Sequence, residues 1–154
     1  DLDLTGADLN VQDFLTTQFA QTSNLLRRTI TVPYATQYGL SVTQWRILAL
    51  LAHSPGIPFS DLVEVSASDK ALVSRTMSLL VKRGLASIQS LDPSRPKRVA
   101  CSLTPQGRAL HRQILPIAQQ SQAKMILTLT KTERESLYRV LKKLRHACEA
   151  DAPD

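Results

Sequence analysis

The chain has 154 residues, 43% hydrophobic and 21% charged, enough for one compact domain with a real core and too short for two comfortable ones. Five glycines and a 5% aromatic share argue against a turn-rich all-β barrel. The formal charge of +6 is concentrated, because nine Lys and Arg meet only two acids between Asp69 and Arg112, while the remainder holds ten basic against eleven acidic residues. That placement suits a phosphate-binding surface, although charge alone leaves a solvated basic face equally open.

Cys101 and Cys148 lie far apart, and His53, His111 and His146 stand alone, which excludes a disulfide scaffold and a recognisable zinc site. No cofactor or metal is expected. The opening DLDLTGADLN has neither a basic start nor an apolar signal core, and no run approaches the roughly 18 apolar residues of a membrane span. A cytoplasmic protein with no membrane partner is the expectation.

Residues 1 to about 10 are polar and acidic and read as a loose lead-in. From Val11, the positions Phe14, Leu15, Phe19, Thr22, Leu25, Leu26 and Ile30 step by three and four, predicting a long amphipathic helix interrupted or ended near Pro33, with a further turn up to Gly39. A small domain cannot bury such a stripe by itself, so a partner is expected. Residues 40–43 lead into QWRILALLAHS, where Trp45, Ile47, Leu48, Leu50 and Leu51 predict a nearly all-round apolar core helix. Ser54-Pro55-Gly56-Ile57-Pro58 breaks the chain. A short helix over residues 60–65 follows, with Leu62, Val63 and Val65 inward and Asp61 and Glu64 outward, then the connector Ser66-Ala67-Ser68.

The stretch from Asp69 to Gly84, DKALVSRTMSLLVKRG, carries Leu72, Val73, Met77, Leu79 and Leu80 at helical spacing, with Lys70, Ser74, Arg75, Ser78, Lys82 and Arg83 between them. Asp69 reads as its N-cap and Gly84 as its stop, and Lys82 and Arg83 suit the negative end of the helix dipole. A short helix, a tight turn and a longer basic helix make a helix-turn-helix, whose second helix enters the major groove. LASIQS and VACSL then alternate as two strands around LDPSRPKR, a hairpin whose tip carries Arg95, Lys97 and Arg98 with two prolines. The fold class is therefore mainly α with a small β-hairpin wing, a winged helix-turn-helix over about residues 40–103.

Thr104 and Pro105 open a helix through Leu110, Ile114, Ile117, Ala118, Met125 and Leu129, with a kink expected at Pro116. Thr130 and Glu133 form a capping-box pattern before a last helix with Leu137, Val140, Leu141 and Leu144 on one stripe. The helices of about residues 11–38 and 104–149 read as a dimerisation region, so that residues 1–154 are expected to form a single domain. A two-fold dimer presents two reading helices about one DNA turn apart, matching a palindromic site.

Four pieces, LSVTQWRILALL, DKALVSRTMSLLVKRGL, the Asp92 wing ending in SLTPQG, and LTKTERESLYRVLKKL, occur in an order that resembles the MarR family of bacterial transcriptional regulators over about residues 11–148. The resemblance implies a homodimeric repressor of double-stranded DNA, released from a palindromic operator by a small phenolic or aromatic acid effector. It implies that Lys70, Ala71, Ser74 and Arg75 face the groove and that Ser68 and Asp69 lie at the phosphate-facing helix start. In the family's wing an aspartate, an arginine and a second aspartate precede the tip arginine. Here Asp92 is kept, Arg95 stands at the second acid and Lys97 at the arginine, so Arg95 or Lys97, with Arg98 beside them, is expected in the minor groove. The family's ligand cleft points to Phe19, Tyr38, Trp45, Arg46 and His111, with core packing and a surface ion pair as the plainer roles of Trp45 and Arg46.

Two other readings stay open. One is a winged-helix interaction module for an acidic protein or RNA, and the other is a redox-responsive regulator, set back because no cysteine lies near the first helix. An enzyme is not expected, since no carboxylate pair, activated nucleophile or glycine-rich phosphate loop is present.

Overall fold

The computed structural model describes residues 5–150, so residues 1–4 of the expected lead-in lie outside the described residues. The described chain is mainly helical with one small antiparallel sheet, as the pattern predicts. It divides into two compact units, which meet in sequence at Ala118 and Gln119.

In the first unit, a turn of 3-10 helix at Val11–Asp13 precedes α1 (Leu15–Leu26), which has no buried residue and leaves Leu15, Phe19, Leu25 and Leu26 exposed. Pro33 does not end this helix. The backbone widens into a π-turn at Arg27–Thr31 and continues as α2 (Val32–Gln37) with Pro33 in its first turn. A proline has no N–H to donate and its ring crowds the carbonyl four residues back, and a wider turn just ahead of it relieves both.

α3 (Val42–His53) starts on a complete capping box, in which Gln44 N donates to Ser41 Oγ at 3.1 Å and Ser41 N donates to Gln44 Oε1 at 3.0 Å. Trp45, Ile47, Leu48 and Leu51 are buried, while Leu50 is half-buried, so the helix is central but not apolar all round. α4 (Phe59–Ser66) and α5 (Lys70–Lys82) follow, and the core is closed by Leu62, Val73, Met77, Leu80, Cys101 and Ile114, each essentially inaccessible.

Two inward expectations are corrected here. Val65 is 55% exposed and Leu79 is 49% exposed. α4 packs along the line from Leu62 to Ser66, and α5 along Val73, Thr76, Met77 and Leu80. At 3.6 residues per turn, Val65 is rotated about 60° from Leu62, and Leu79 about 120° from Val73.

The break after α3 also hides a strand. β1 (Ile57–Pro58) joins β2 (Ala86–Ser90) and β3 (Val99–Leu103) in the order β1-β3-β2, all antiparallel. Ile57 pairs with Cys101 and Pro58 with Ala100, while Ala86 to Ser90 pair with Leu103 to Val99. Pro58 is tolerated because it lies on an edge strand.

α6 (Pro105–Ile126) begins where Gly107 N donates to the Thr104 hydroxyl at 3.0 Å, runs through Pro116 without interruption, and ends at Ile126, short of Leu129. In the second unit, the Glu133 carboxylate accepts from Thr130 N at 2.7 Å and caps α7 (Lys131–Ala150). Those bonds from Thr130 hold the Glu133 carboxyl below its ordinary pKa. α7 has no buried residue, and Leu137, Tyr138 and Val140 are exposed. No helix among the described residues is long and apolar enough to cross a membrane.

Candidate nucleic-acid interface

The turn between α4 and α5 is three residues long and is set by local chemistry. Ala67 takes the left-handed conformation at φ 50°. Ser66, buried, donates its hydroxyl to Val63 O at 2.8 Å, and Ser68 donates to Ser66 O at 3.3 Å. Asp69 accepts from Leu72 N at 2.8 Å, so its carboxylate is already engaged as the N-cap. The inner face of α5 is completed by Thr76, which is buried and returns its hydroxyl to Leu72 O at 2.8 Å. Lys70, Ala71, Ser74, Arg75 and Ser78 are exposed on the opposite face.

The wing tip is built from two successive turns. Arg95 N donates to Asp92 O and Arg98 N to Arg95 O, each at 2.9 Å, and Leu91 N closes the hairpin on Arg98 O at 2.8 Å. Pro93 and Pro96 each occupy the second position of a turn, where a fixed φ costs nothing extra. The Asp92 carboxylate accepts from the Ser94 hydroxyl at 2.7 Å and from Ser94 N at 2.9 Å, which holds its pKa below the ordinary carboxylate value.

Folding brings Lys70 from the start of α5 together with Arg95, Lys97 and Arg98 from the tip around one concavity of about 540 Å³, which Phe59 and Val63 also line. Arg75 and Ser74 lie one turn further along α5 and do not line it. Among the described residues the ion pairs are Lys131 with Glu135 and His146 with Glu149, both on α7, so none of these basic side chains is neutralised by an acid. Unpaired cations around a concave surface are what phosphate oxygens require.

Of the five ligand candidates Trp45 and His111 are brought into contact, but the five do not line one common cleft. Trp45 is buried and stacks on His111, with centroids 5.6 Å apart and planes 15° from parallel, while Tyr34 meets its edge at 5.7 Å. Burial holds the His111 imidazole below its ordinary pKa. Tyr38 lines a separate cleft of about 500 Å³ with Arg83, Gln106 and Gln113. Arg46 is exposed on α3, and Phe19 is 43% exposed on α1.

Tyr34 is a residue that sequence reasoning missed in this region, and Arg83 reads from the sequence only as a helix-dipole partner. The aromatic could have been marked by its position four residues after Ile30, but no sequence signal connects Arg83 to Tyr38. Cys101 is fully buried and its thiol is pushed up in pKa, away from the reactive thiolate, and Cys148 is exposed near the end of α7. No cluster of three metal-binding side chains occurs among the described residues.

Residues 38–94, from the end of α2 to the first turn of the wing tip, match the sequence model of the MarR family. Over 108 residues the chain is 25% identical to the transcriptional regulator HosA of Escherichia coli O111:H-, covering 70% of this chain and 79% of HosA. BpsR of Bordetella bronchiseptica, whose DNA binding is regulated by 6-hydroxynicotinic acid, is 29% identical with a TM-score of 0.68, across 81% of this chain and 98% of BpsR. A MarR/EmrR family transcriptional regulator from Acinetobacter sp. ADP1 has the same fold, with a TM-score of 0.81 at 24% identity over 92% of this chain and 99% of that one.

Proposed function

We propose that the chain, whose residues 38–94 match the MarR family of transcriptional regulators, is a homodimeric repressor of a palindromic double-stranded DNA operator, released by a small aromatic acid. The observation that carries the reading is the single concavity in which Lys70 meets Arg95, Lys97 and Arg98 with no acid paired to any of them. Lys70, Ala71, Ser74 and Arg75 face base edges and phosphates in the major groove, with Arg75 the side chain suited to a bidentate bond to guanine. Ser68 and Asp69 fix the helix start that approaches the backbone. Arg95 or Lys97 enters the adjacent minor groove while Arg98 stays on phosphate.

Dimerisation is supported by the uncovered apolar residues of α1 and of α7, which one chain leaves in water. An effector is supported by the cleft beside Tyr38 and Arg83 and by the regulation of BpsR by 6-hydroxynicotinic acid. A guanidinium next to a phenol suits a planar carboxylate through charge-assisted bonds.

The test is a mobility-shift titration of the full chain against duplexes from its own gene neighbourhood, over a series of salt concentrations. One palindrome is expected to bind far more tightly than the rest, with affinity falling steeply in salt as several phosphates are neutralised. Equal, weak binding to every duplex refutes sequence-specific recognition and favours the interaction-module alternative.

A further inference from the structure

The C-terminal end of α5 is held by a contact that lies outside the proposed DNA-reading face. Arg83 is the C-cap of that helix, and its Nη1 donates to the Gly39 carbonyl at 2.9 Å and to Gln44 Oε1 at 3.4 Å. Gly39 belongs to the Schellman turn that ends α2, in which Leu40 N donates to Ala35 O at 2.9 Å and Gly39 N to Thr36 O at 3.0 Å. Gln44 is the capping-box residue that starts α3. One guanidinium edge therefore ties the end of α5 to the corner where α2 becomes α3, across 44 residues of sequence. The basic side chains proposed to read DNA lie at the other end of the same helix.

We propose that Arg83 is a positioning residue for DNA binding: it touches no DNA, and its clasp on the α2–α3 corner sets the tilt at which Lys70 to Arg75 meet the groove. This rests on the DNA-binding reading above. At about 1.5 Å per residue, the reading end lies about 20 Å from the clasp, so a tilt of about 3° displaces it by about 1 Å. That exceeds the roughly 0.5 Å within which a binding constellation must be held. The buried Val73, Met77 and Leu80 keep α5 packed without the clasp, so its loss loosens the tilt while the helix stays folded.

The experiment uses the full chain as wild type, Arg83→Ala, Arg83→Lys, Gln44→Glu and the Arg83→Ala/Gln44→Glu double variant. Each is titrated with the tightest duplex found for the wild type, at several salt concentrations, alongside circular dichroism at the assay temperature. Arg83→Ala is expected to weaken binding about three- to thirty-fold, the range over which residues touching neither partner modulate coupling. Its helicity and the slope of log affinity against log salt stay at wild-type values. Arg83→Lys recovers part of the affinity by reaching one acceptor. Gln44→Glu keeps the capping box and gives Arg83 a charged acceptor, so it leaves wild-type affinity intact or higher and brings no gain in the Arg83→Ala background.

A salt slope lowered by about one in Arg83→Ala, with full recovery in Arg83→Lys, makes Arg83 a phosphate contact and overturns the proposal. Unchanged affinity overturns it too, as does an affinity loss no larger than the unfolded fraction. A wild type that binds no duplex defeats the DNA reading itself and the clasp's role with it. A wild type that binds, with Arg83→Ala unaffected, defeats the clasp alone.

Discussion

Gly107→Ala is expected to destabilise the protein by about 2–4 kcal/mol, although alanine is the better helix former by about 1 kcal/mol. Gly107 lies in the first turn of α6, packed against the chain where α5 passes into β2. A Cβ at this position meets Leu85 O at 1.9 Å and Leu85 C at 2.9 Å, against an ordinary contact distance of at least 3.4 Å. Both clashing atoms are backbone, so no side-chain rotation relieves them, and α6 must withdraw by roughly 1.5 Å at this point. That withdrawal stretches two bonds that seat the helix, Thr104 N to Leu85 O at 3.1 Å and the Thr104 hydroxyl to Gly84 O at 2.6 Å. Overpacking costs about 1–3 kcal/mol. The two bonds contribute about 1 kcal/mol each, which outweighs the gain in helix propensity. Urea unfolding followed by circular dichroism at fixed protein concentration measures the difference, and the melting temperature falls by roughly 5–15 °C. A change below about 0.5 kcal/mol, or any stabilisation, refutes the close approach, since the propensity term would then stand alone.

At the proposed DNA face, Arg75→Ala weakens binding to the preferred duplex by about 1–3 kcal/mol and relaxes specificity at one base pair, whereas Arg98→Ala weakens all duplexes alike and lowers the salt slope by about one; competition titrations separate the two, and identical behaviour would reject the division of labour between helix and wing. Asp69→Asn keeps a good N-cap while removing a negative charge, so stability holds and DNA affinity rises, but Asp69→Ala costs about 1 kcal/mol of stability; equal urea midpoints for the two variants would show that the cap is not the role of this side chain. His111 titrates below its ordinary value in the folded chain because burial disfavours its charged form. The unfolded chain therefore takes up the proton first as pH falls, and the stability present above the unfolded value is lost on descending through the folded one. His111→Gln flattens that part of the pH profile of the urea midpoint, and a profile of unchanged shape assigns the titration elsewhere.

What could be read from the sequence was what repeats or caps locally. The period of α5, the Asp69 cap, the Gly84 stop, the Thr130 and Glu133 box and the hairpin around LDPSRPKR each declare themselves within a few residues. Gly84 takes a φ of 71°, and around it Leu85 N donates to Leu80 O and Gly84 N to Val81 O, each at 2.9 Å, the same Schellman arrangement as at Gly39. Features fixed by distant partners stayed hidden. β1 is two residues long and half proline, and it exists only because β3 offers a free edge. Periodicity could not separate Leu79 from Leu80, because the width of the buried stripe is set by what packs on it. Arg83 reads as a dipole partner until Gly39 and Gln44 are brought beside it, and Gly107 reads as a weak spot in a helix until Leu85 closes on it.

The wing connects the sequence signal to its use most directly. Asp-Pro-Ser-Arg followed by Pro-Lys-Arg places a proline at the second position of each of two overlapping turns that share Arg95, and the Asp92 carboxylate ties Ser94 into the first. Such a tip has little backbone freedom left to lose when it binds. Ordering a flexible loop counts against association, so pre-setting φ at Pro93 and Pro96 shifts that cost from the binding step to folding. The departure from the wing pattern that the MarR resemblance implies has the same logic. With arginine in place of the second acid, Arg95, Lys97 and Arg98 project from one rigid unit, and the single remaining carboxylate of the tip, Asp92, is turned inward to hold it together.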